Sequence, residues 1–330
     1  MKISRIDPQD PSGIFDRSKD LLLTNIPEIF FPNPRVARRV LAKDPPKGNI
    51  EEYFSSCMLK NPAFSAYDND DIFLVGFLEP MKFESSVFDK NMAALKIHEN
   101  RQKNVSLGTK NEFLDEILDF AEETGIEHLS CKVSCGDIST AQALENSGFL
   151  MVSNLITCLY VRGAVKIPRW KSIYKTREAS PADKNRVIEL TRGAFPRTRF
   201  YNDPWLDKEK CGRLYEEWAA NCFDENWASN IFVAENSRGD VVGYLTYLID
   251  RNVKNFFGAI KGGNGISACE AGSKGAYPAL MAHSILDVPR YDASFCEYST
   301  QSENSQVLRI WQKFGLEYGK SELVFHKALK

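Results

Sequence analysis

The stretch CEAGSKGAYPALM, residues 269–281, joins a strand-like run to a helix-like one. The apolar segment GISACEA (265–271) leads into its glycines, and ALMAHSIL (279–286) follows them. Backbone N–H groups at the start of a helix, together with the helix dipole, bind phosphate without needing a side chain. The stretch is therefore a candidate phosphate-binding turn. The alternative is a plain strand-to-helix turn whose glycines only relieve strain.

The segments on either side of this turn predict one mixed α/β unit. Apolar spacing and turn signals give the order β-α-α-β-β-β-α-β-α-β, which is typical of a mixed sheet with helices on it. Its predicted parts are a strand near 173–179, a helix capped by Ser180, a helix over 207–223, a hairpin around the turn NSRGD, the strand–turn–helix at 265–286, a strand over 293–300, a helix ending at Gly315, and a closing strand.

The first half of the chain repeats this outline. Aligning Gly148 with Gly315 brings Asp137 onto Asn304 and Leu144 onto Trp311, an offset of 167 in a chain of 330 residues. Such an offset predicts duplication of one α/β unit. The segment 163–183, with two prolines and little periodicity, reads as the linker between a domain 1–167 and a domain 168–330.

The composition excludes several classes of protein. A net charge of −2 argues against nucleic-acid binding, and no apolar run is long enough for a membrane span. The polar N-terminus lacks a signal peptide, so we expect a cytoplasmic protein whose eight cysteines are free thiols. Cys131 and Cys135 lie four apart without a second ligand pair, so no metal is expected.

Three segments resemble the GCN5-related N-acetyltransferase (GNAT) family. They are the hairpin IFVAENSRGDVVGYLTYLI (231–249), the strand–turn–helix at 266–285, and SENSQVLRIWQKFGL (302–316). The resemblance implies an α/β protein of two tandem acyl-CoA N-acyltransferase domains, each a mixed twisted sheet with helices on both faces. The first copy is expected to be degenerate, because 96–127 shows no glycine-bearing strand–turn–helix. The segment VFDKNMAALKI (87–97) is similar to the start of such a domain.

The same resemblance implies acetyl-CoA as cosubstrate, held by the turn, by the preceding strand edge and by Asn304. The family's first glycine is kept as Gly275, but Tyr277 stands where a second glycine is usual, and its side chain is expected to narrow the approach. Asn304 is expected at least to cap its helix. The candidate cofactor-binding residues are Ala268, Cys269, Gly272, Ser273, Lys274, Gly275, Ala276, Tyr277 and Asn304.

A positioned carboxylate can assist an amine to lose its proton. Glu270 is the candidate catalytic base, and strand alternation places it on the face opposite Cys269. The alternative is a solvated or ion-paired carboxylate at a strand end. Trp311 occupies the position where the family often has a tyrosine acid, and an indole N–H donates a hydrogen bond but is too weak an acid to deliver a proton.

The segment RTRFYNDPWLDKEKCGRLYEEWAANC (197–222) resembles the acceptor side of TDP-fucosamine acetyltransferases. Arg199, Phe200 and Asp203 are therefore candidate substrate-binding residues, with Arg199 suited to a phosphate or carboxylate and Asp203 a second candidate base. The alternative is an Arg–Asp ion pair that only stabilises the loop.

The expected function is transfer of acetyl from acetyl-CoA directly to a primary amine on a small molecule, in the first place an amino sugar nucleotide. One alternative is a non-catalytic binding or regulatory protein with the same fold. Another is an N-acetyltransferase of a protein N-terminus, a polyamine or an amino acid. Association into oligomers is left open.

Overall fold

A computed structural model describes residues 1–7, 16–19, 21, 55, 57–69, 71–100, 102–163, 171–225, 227–251 and 260–330. Its strands form one sheet in the order β1-β2-β3-β4-β5-β12-β6-β11-β10-β9-β8-β7. The strands are β1 Lys2–Arg5, β2 Ala63–Asp68, β3 Asp71–Pro80, β4 Met92–Glu99, β5 His128–Ser134, β6 Leu150–Val161, β7 Lys175–Glu178, β8 Asn230–Glu235, β9 Val241–Asp250, β10 Lys261–Cys269, β11 Phe295–Gln301 and β12 Glu317–Ala328.

Helices cover both faces of this sheet. They are α1 Lys82–Phe88, α2 Leu107–Glu123, α3 Ile138–Asn146, α4 Lys184–Thr191, α5 Arg199–Asn202, α6 Lys208–Asp224, α7 Ala276–Asp287 and α8 Ser305–Lys313. Apolar side chains of α2, α3, α7 and α8 pack on one face, here called the α7 face. Those of α1, α4, α5 and α6 pack on the other, the α6 face. None of the helices within the described ranges is long and apolar enough to cross a membrane.

The two halves repeat each other in geometry as the sequence predicts. β5 and β11 begin 167 residues apart, as do β6 and β12. The side chain of Asp137 accepts from the N–H of Thr140 at the start of α3. Asn304 does the same for Val307 at the start of α8, so its predicted capping role is confirmed.

The last strands of the two halves are exchanged. β12, from the end of the chain, pairs antiparallel with β5 of the first half, whereas β6 of the first half pairs antiparallel with β11 of the second. β6 and β12 pair with each other and join the halves into one sheet. The boundary predicted at 167/168 falls outside the described residues.

The first half corrects one sequence-based expectation. No glycine-bearing strand–turn–helix was expected over 96–127, and the segment that joins β4 to α2 there carries no glycine. The Ser106 side chain caps α2 by accepting from the N–H of Thr109, so this turn needs no left-handed glycine. Residues 87–97 were expected at the start of a domain, and that was wrong: they form the end of α1 and most of β4, the counterpart of β10.

Candidate functional site

The strands β10 and β11 part to form a fork beside the quoted turn. They pair in parallel only where Lys261–Gly263 faces Phe295–Glu297. Beyond that point β10 continues to Cys269 and β11 to Gln301 without pairing to each other. β10 also carries a register shift against β9 between Asn264 and Ser267, and such a bulge bends a strand. The fork therefore presents backbone N–H and C=O groups along its inner edges.

The turn lies at the open end of the fork. Gly272 and Gly275 have φ of +90° and +100°, a region that side chains with a Cβ rarely adopt. Within the turn, the N–H of Ser273 donates to the carbonyl of Glu270 and that of Ala276 to Ser273, both at 3.1 Å. The turn is thus held by its own hydrogen bonds at the start of α7.

Backbone donors of this turn remain available at the start of α7. In the described part of the chain, the N–H groups of Gly275 and Tyr277 have no acceptor, and Lys274 is exposed beside them. The N–H of Lys274 itself is used, since it donates to the carbonyl of Gly272 at 2.8 Å. Of the predicted cradle residues, Gly275 and Tyr277 thus keep N–H groups that can bind an anion at the helix start.

The strand residues Ala268 and Cys269 lie on the fork side of this arrangement. They are register partners of Tyr244 and Gly243 on β9, so one edge of β10 is bonded and the other faces the fork. This open edge is the part of β10 that an extended ligand can join by strand-like hydrogen bonds.

Tyr277 and Trp311, the two departures from the family's pattern, contact each other. The indole Nε1–H of Trp311 donates to the phenol oxygen of Tyr277 at 2.8 Å. Tyr277 is half-buried against the core of the α7 face. Burial raises the pKa of Tyr277, and its hydroxyl proton is left free to donate.

Trp311 is a core residue of the α7 face. It is buried, and its ring lies 5.9 Å from that of Tyr298 on β11. Cys269, at the end of β10, packs in the same cluster. The Tyr277–Trp311 pair therefore stands between the two arms of the fork on the α7 face.

Glu270 lies on the other face, as strand alternation predicts. Its carboxylate contacts the Arg186 guanidinium of α4 at 3.2 Å and remains half exposed. Arg186 also contacts Glu189 at 2.9 Å. Glu270 therefore makes an ion pair, as the alternative interpretation of a strand-end carboxylate required. Its carboxylate lies at the fork on the α6 face.

Of the residues predicted to bind the acceptor, Arg199 is partly exposed, whereas Phe200 and Asp203 are buried. Arg199 lies at the start of α5, with its guanidinium 3.5 Å from Glu84 and 4.5 Å from the centre of the Phe200 ring. Phe200 is buried in the core of the α6 face. The Arg–Asp pair considered from the sequence is not the contact that Arg199 makes.

Asp203 is fully buried between two histidines. One carboxylate oxygen is 2.8 Å from His128 Nε2 and 2.6 Å from His326 Nδ1, and the other accepts from the N–H of Trp205. Burial alone would raise the pKa of Asp203, but these hydrogen bonds hold it well below its usual value. Burial also lowers the pKa of His326 to about 4.

This buried cluster joins β5, β12 and the segment after α5, so it ties the exchanged strand to the α6 face. Its three side chains are also of metal-binding type. The Asp203 oxygen lies at hydrogen-bond distance from each histidine nitrogen, at 2.8 and 2.6 Å. Two ligand atoms of one tetrahedral zinc would lie roughly 3.3 Å apart. Sequence reasoning missed the partners of Asp203 because they are 75 and 123 residues away.

The first half has a fork of its own, which a buried lysine fills. β4 and β5 pair only where Met92–Leu95 faces His128–Cys131. The repeat offset places Lys110 on Tyr277, and Lys110 is 2% exposed. Its ammonium lies 2.7 Å from Glu99, 2.6 Å from Ser139, 2.9 Å from Thr140 and 3.4 Å from Asp137.

Comparison with known proteins gives one curated relative. The spore coat polysaccharide biosynthesis protein SpsD of Bacillus subtilis is 22% identical over 289 residues, which span 85% of this chain and 94% of SpsD. No protein-family model matches the chain.

Solved structures resemble the chain over nearly its whole length. A GCN5-related N-acetyltransferase from Sphaerobacter thermophilus aligns with 99% of this chain and 95% of its own, with TM-score 0.61 and 13% identity. A tandem GNAT protein from the clavulanic acid biosynthesis pathway aligns with 99% and 98%, with TM-score 0.56 and 10% identity.

A glucosamine N-acetyltransferase region of a fungal multi-domain β-N-acetylglucosaminidase gives TM-score 0.59 at 15% identity, covering 99% of this chain and 38% of that one. The resemblance seen in the sequence is confirmed at the level of the fold. The chain has the fold of the GCN5-related N-acetyltransferases, with two such units in tandem.

Proposed function

We propose that the chain is an acetyl-CoA-dependent N-acetyltransferase with one acetyl-CoA site, formed by the fork and turn of the second half. The observation that carries this proposal is the open fork directly beside two unused N–H groups at a helix start. Amides of this kind bind a pyrophosphate, and the unpaired edge of β10 suits the amide-bearing arm of CoA. The first-half fork, filled by Lys110, serves as structure.

Acetyl-CoA brings a thioester, whose carbonyl carbon an amine attacks and whose sulfur leaves as a thiolate. Glu270, on the α6 face, takes the proton that the amine loses. The Tyr277 hydroxyl, held by Trp311, donates a hydrogen bond to the sulfur as its charge develops. With its pKa raised by burial, Tyr277 stabilises the thiolate by this bond and keeps its own proton.

The acceptor we propose is the amine of an amino sugar carried on a nucleotide. SpsD is named for polysaccharide biosynthesis, and one structural neighbour is a glucosamine N-acetyltransferase region. Arg199, partly exposed on the α6 face, is the residue suited to a phosphate of such an acceptor.

The test is an assay of acetyl transfer from acetyl-CoA to free and nucleotide-linked amino sugars, with a polyamine, an amino acid and a peptide amine for comparison. We expect a mass shift of one acetyl group on a nucleotide-linked amino sugar. Binding of acetyl-CoA without transfer to any acceptor would instead favour the non-catalytic alternative.

The Tyr277→Phe variant tests the thiolate contact. A hydrogen bond to a charged group contributes about 1.5–3 kcal/mol, so kcat should fall roughly 10- to 100-fold while the Kd for acetyl-CoA changes little. The matched control is Tyr318→Phe, an exposed phenol on β12 that bonds Ser321. An unchanged kcat in Tyr277→Phe would remove Tyr277 from the mechanism.

A further inference from the structure

Lys132 is an exposed cation on the α6 face of β5. Its neighbour Cys131 points into the core of the α7 face, whereas His128, four residues earlier, reaches Asp203 on the same side as Lys132. Among the described residues, Lys132 has no ion-pair or hydrogen-bond partner. Its ammonium is therefore available to a ligand.

Lys96 lies next to it across the first-half fork. Leu95 and Cys131 are the last paired residues of β4 and β5, so Lys96 and Lys132 are the next residue on each strand and share a face. The contact of Lys96 with Glu79 is loose, at 3.8 Å, and both side chains are largely exposed. The fork thus has a cation on each arm.

Arg199 adds a third positive charge from α5. The pKa of Lys132 is lowered to about 8, first by the surrounding protein and then by the charge of Arg199. Of the acidic groups nearby, Glu322 contacts Lys320 at 2.9 Å, and Glu84 lies 3.5 Å from Arg199 and offsets part of its charge.

Cations gathered on one face repel one another, and a bound anion relieves that repulsion. We infer that Lys96, Lys132 and Arg199 form a subsite on the α6 face that binds the diphosphate of the acceptor. This inference rests on the proposed function, because it names the part of the acceptor that lies away from the reacting amine.

The three cations and Glu270 of the second-half fork lie on the same face of the sheet. Lys132 on β5 is separated from β11, an arm of the second-half fork, by β12 and β6. Three strand spacings amount to about 14 Å. Between them the α6 face carries polar groups, including the hydroxyls of Thr157 and Ser299, which lie 2.8 Å apart. The proposed arrangement has the acceptor's amine at the second-half fork and its diphosphate at these cations.

The test is calorimetric binding of uridine diphosphate and of inorganic pyrophosphate to the full chain saturated with CoA, which fills the turn at α7. The variant is Lys132→Gln, and the control is Lys175→Gln, an exposed lysine on β7 at the far end of the sheet. Because the bond is charge-assisted, we expect Lys132→Gln to weaken uridine diphosphate binding by about tenfold or more and Lys175→Gln to leave it unchanged.

Equal affinity for both probes supports recognition of the diphosphate alone, and tighter binding of uridine diphosphate supports recognition of the nucleotide as well. The inference is overturned if neither probe binds the CoA-saturated parent, or if Lys132→Gln binds as tightly as Lys175→Gln. Acetyl-CoA binding by Lys132→Gln, measured in parallel, shows that the variant is folded. It also keeps a failure of this subsite separate from a failure of the proposed function.

Discussion

Replacing Gly275 by valine should weaken acetyl-CoA binding by about 5- to 150-fold, because a non-glycine residue in this conformation costs about 1–3 kcal/mol. Gly275 has a φ of +100° directly before α7. A Cβ there would lie 3.6 Å from the Tyr174 ring, an ordinary contact, so the cost arises from the backbone and not from crowding. Relief of that strain would turn the Gly275 and Tyr277 N–H groups away from a bound phosphate. Calorimetry with acetyl-CoA measures the effect.

The matched control is Gly239→Val, in the turn between β8 and β9. Gly239 has a φ of +86° and nothing within 4 Å of a built Cβ, so the substitution imposes similar strain away from the fork. Both variants should lose similar thermal stability, but only Gly275→Val should lose acetyl-CoA affinity. If Gly275→Val binds acetyl-CoA as tightly as Gly239→Val, the cradle has been assigned to the wrong turn.

The Glu270→Gln variant should lower kcat roughly 100-fold or more, the usual contribution of a general base, with little change in the Kd for acetyl-CoA. The amide keeps the size of the side chain but cannot take the amine's proton. Steady-state kinetics with a nucleotide-linked amino sugar measure the effect.

Arg186 provides the control, because it contacts both Glu270 and Glu189. Glu189→Gln removes a carboxylate from the same arginine without touching the fork, and it should leave kcat unchanged. Equal kcat values for Glu270→Gln and Glu189→Gln would contradict a catalytic role of Glu270. Its carboxylate would then only form the ion pair with Arg186, as the alternative interpretation from the sequence stated.

Local sequence signals were enough for the second half. The left-handed glycines, the cap at Asn304 and the spacing of apolar residues each report on a few neighbouring residues, and α7 and α8 form where these signals predicted them. The fold class follows from their order.

Local signals of this kind do not predict contacts between segments that are distant in the sequence. The fork depends on where β10 and β11 stop pairing, and the exchange of β6 and β12 depends on which of two similar strands lies beside β5. A strand's sequence states which face is buried but does not name its neighbour. The cluster at Asp203 and the cations at Lys132 arise only once that exchange is made.

The first half shows how a glycine-based search misleads. Ser106 caps α2 in place of a glycine turn, and Lys110 fills the space that Tyr277 and Trp311 border in the second half. The sequence alone predicts that Lys110 is an exposed lysine on a helix surface. Its burial is apparent only when Glu99 and the start of α3 are placed around it.

Calorimetric titration of acetyl-CoA into the intact chain tests the central claim most directly. We expect saturable binding at one site per chain, because the second-half fork is open and Lys110 fills that of the first half. Absence of binding at concentrations approaching millimolar would contradict an acetyl-CoA site at the β10–β11 fork.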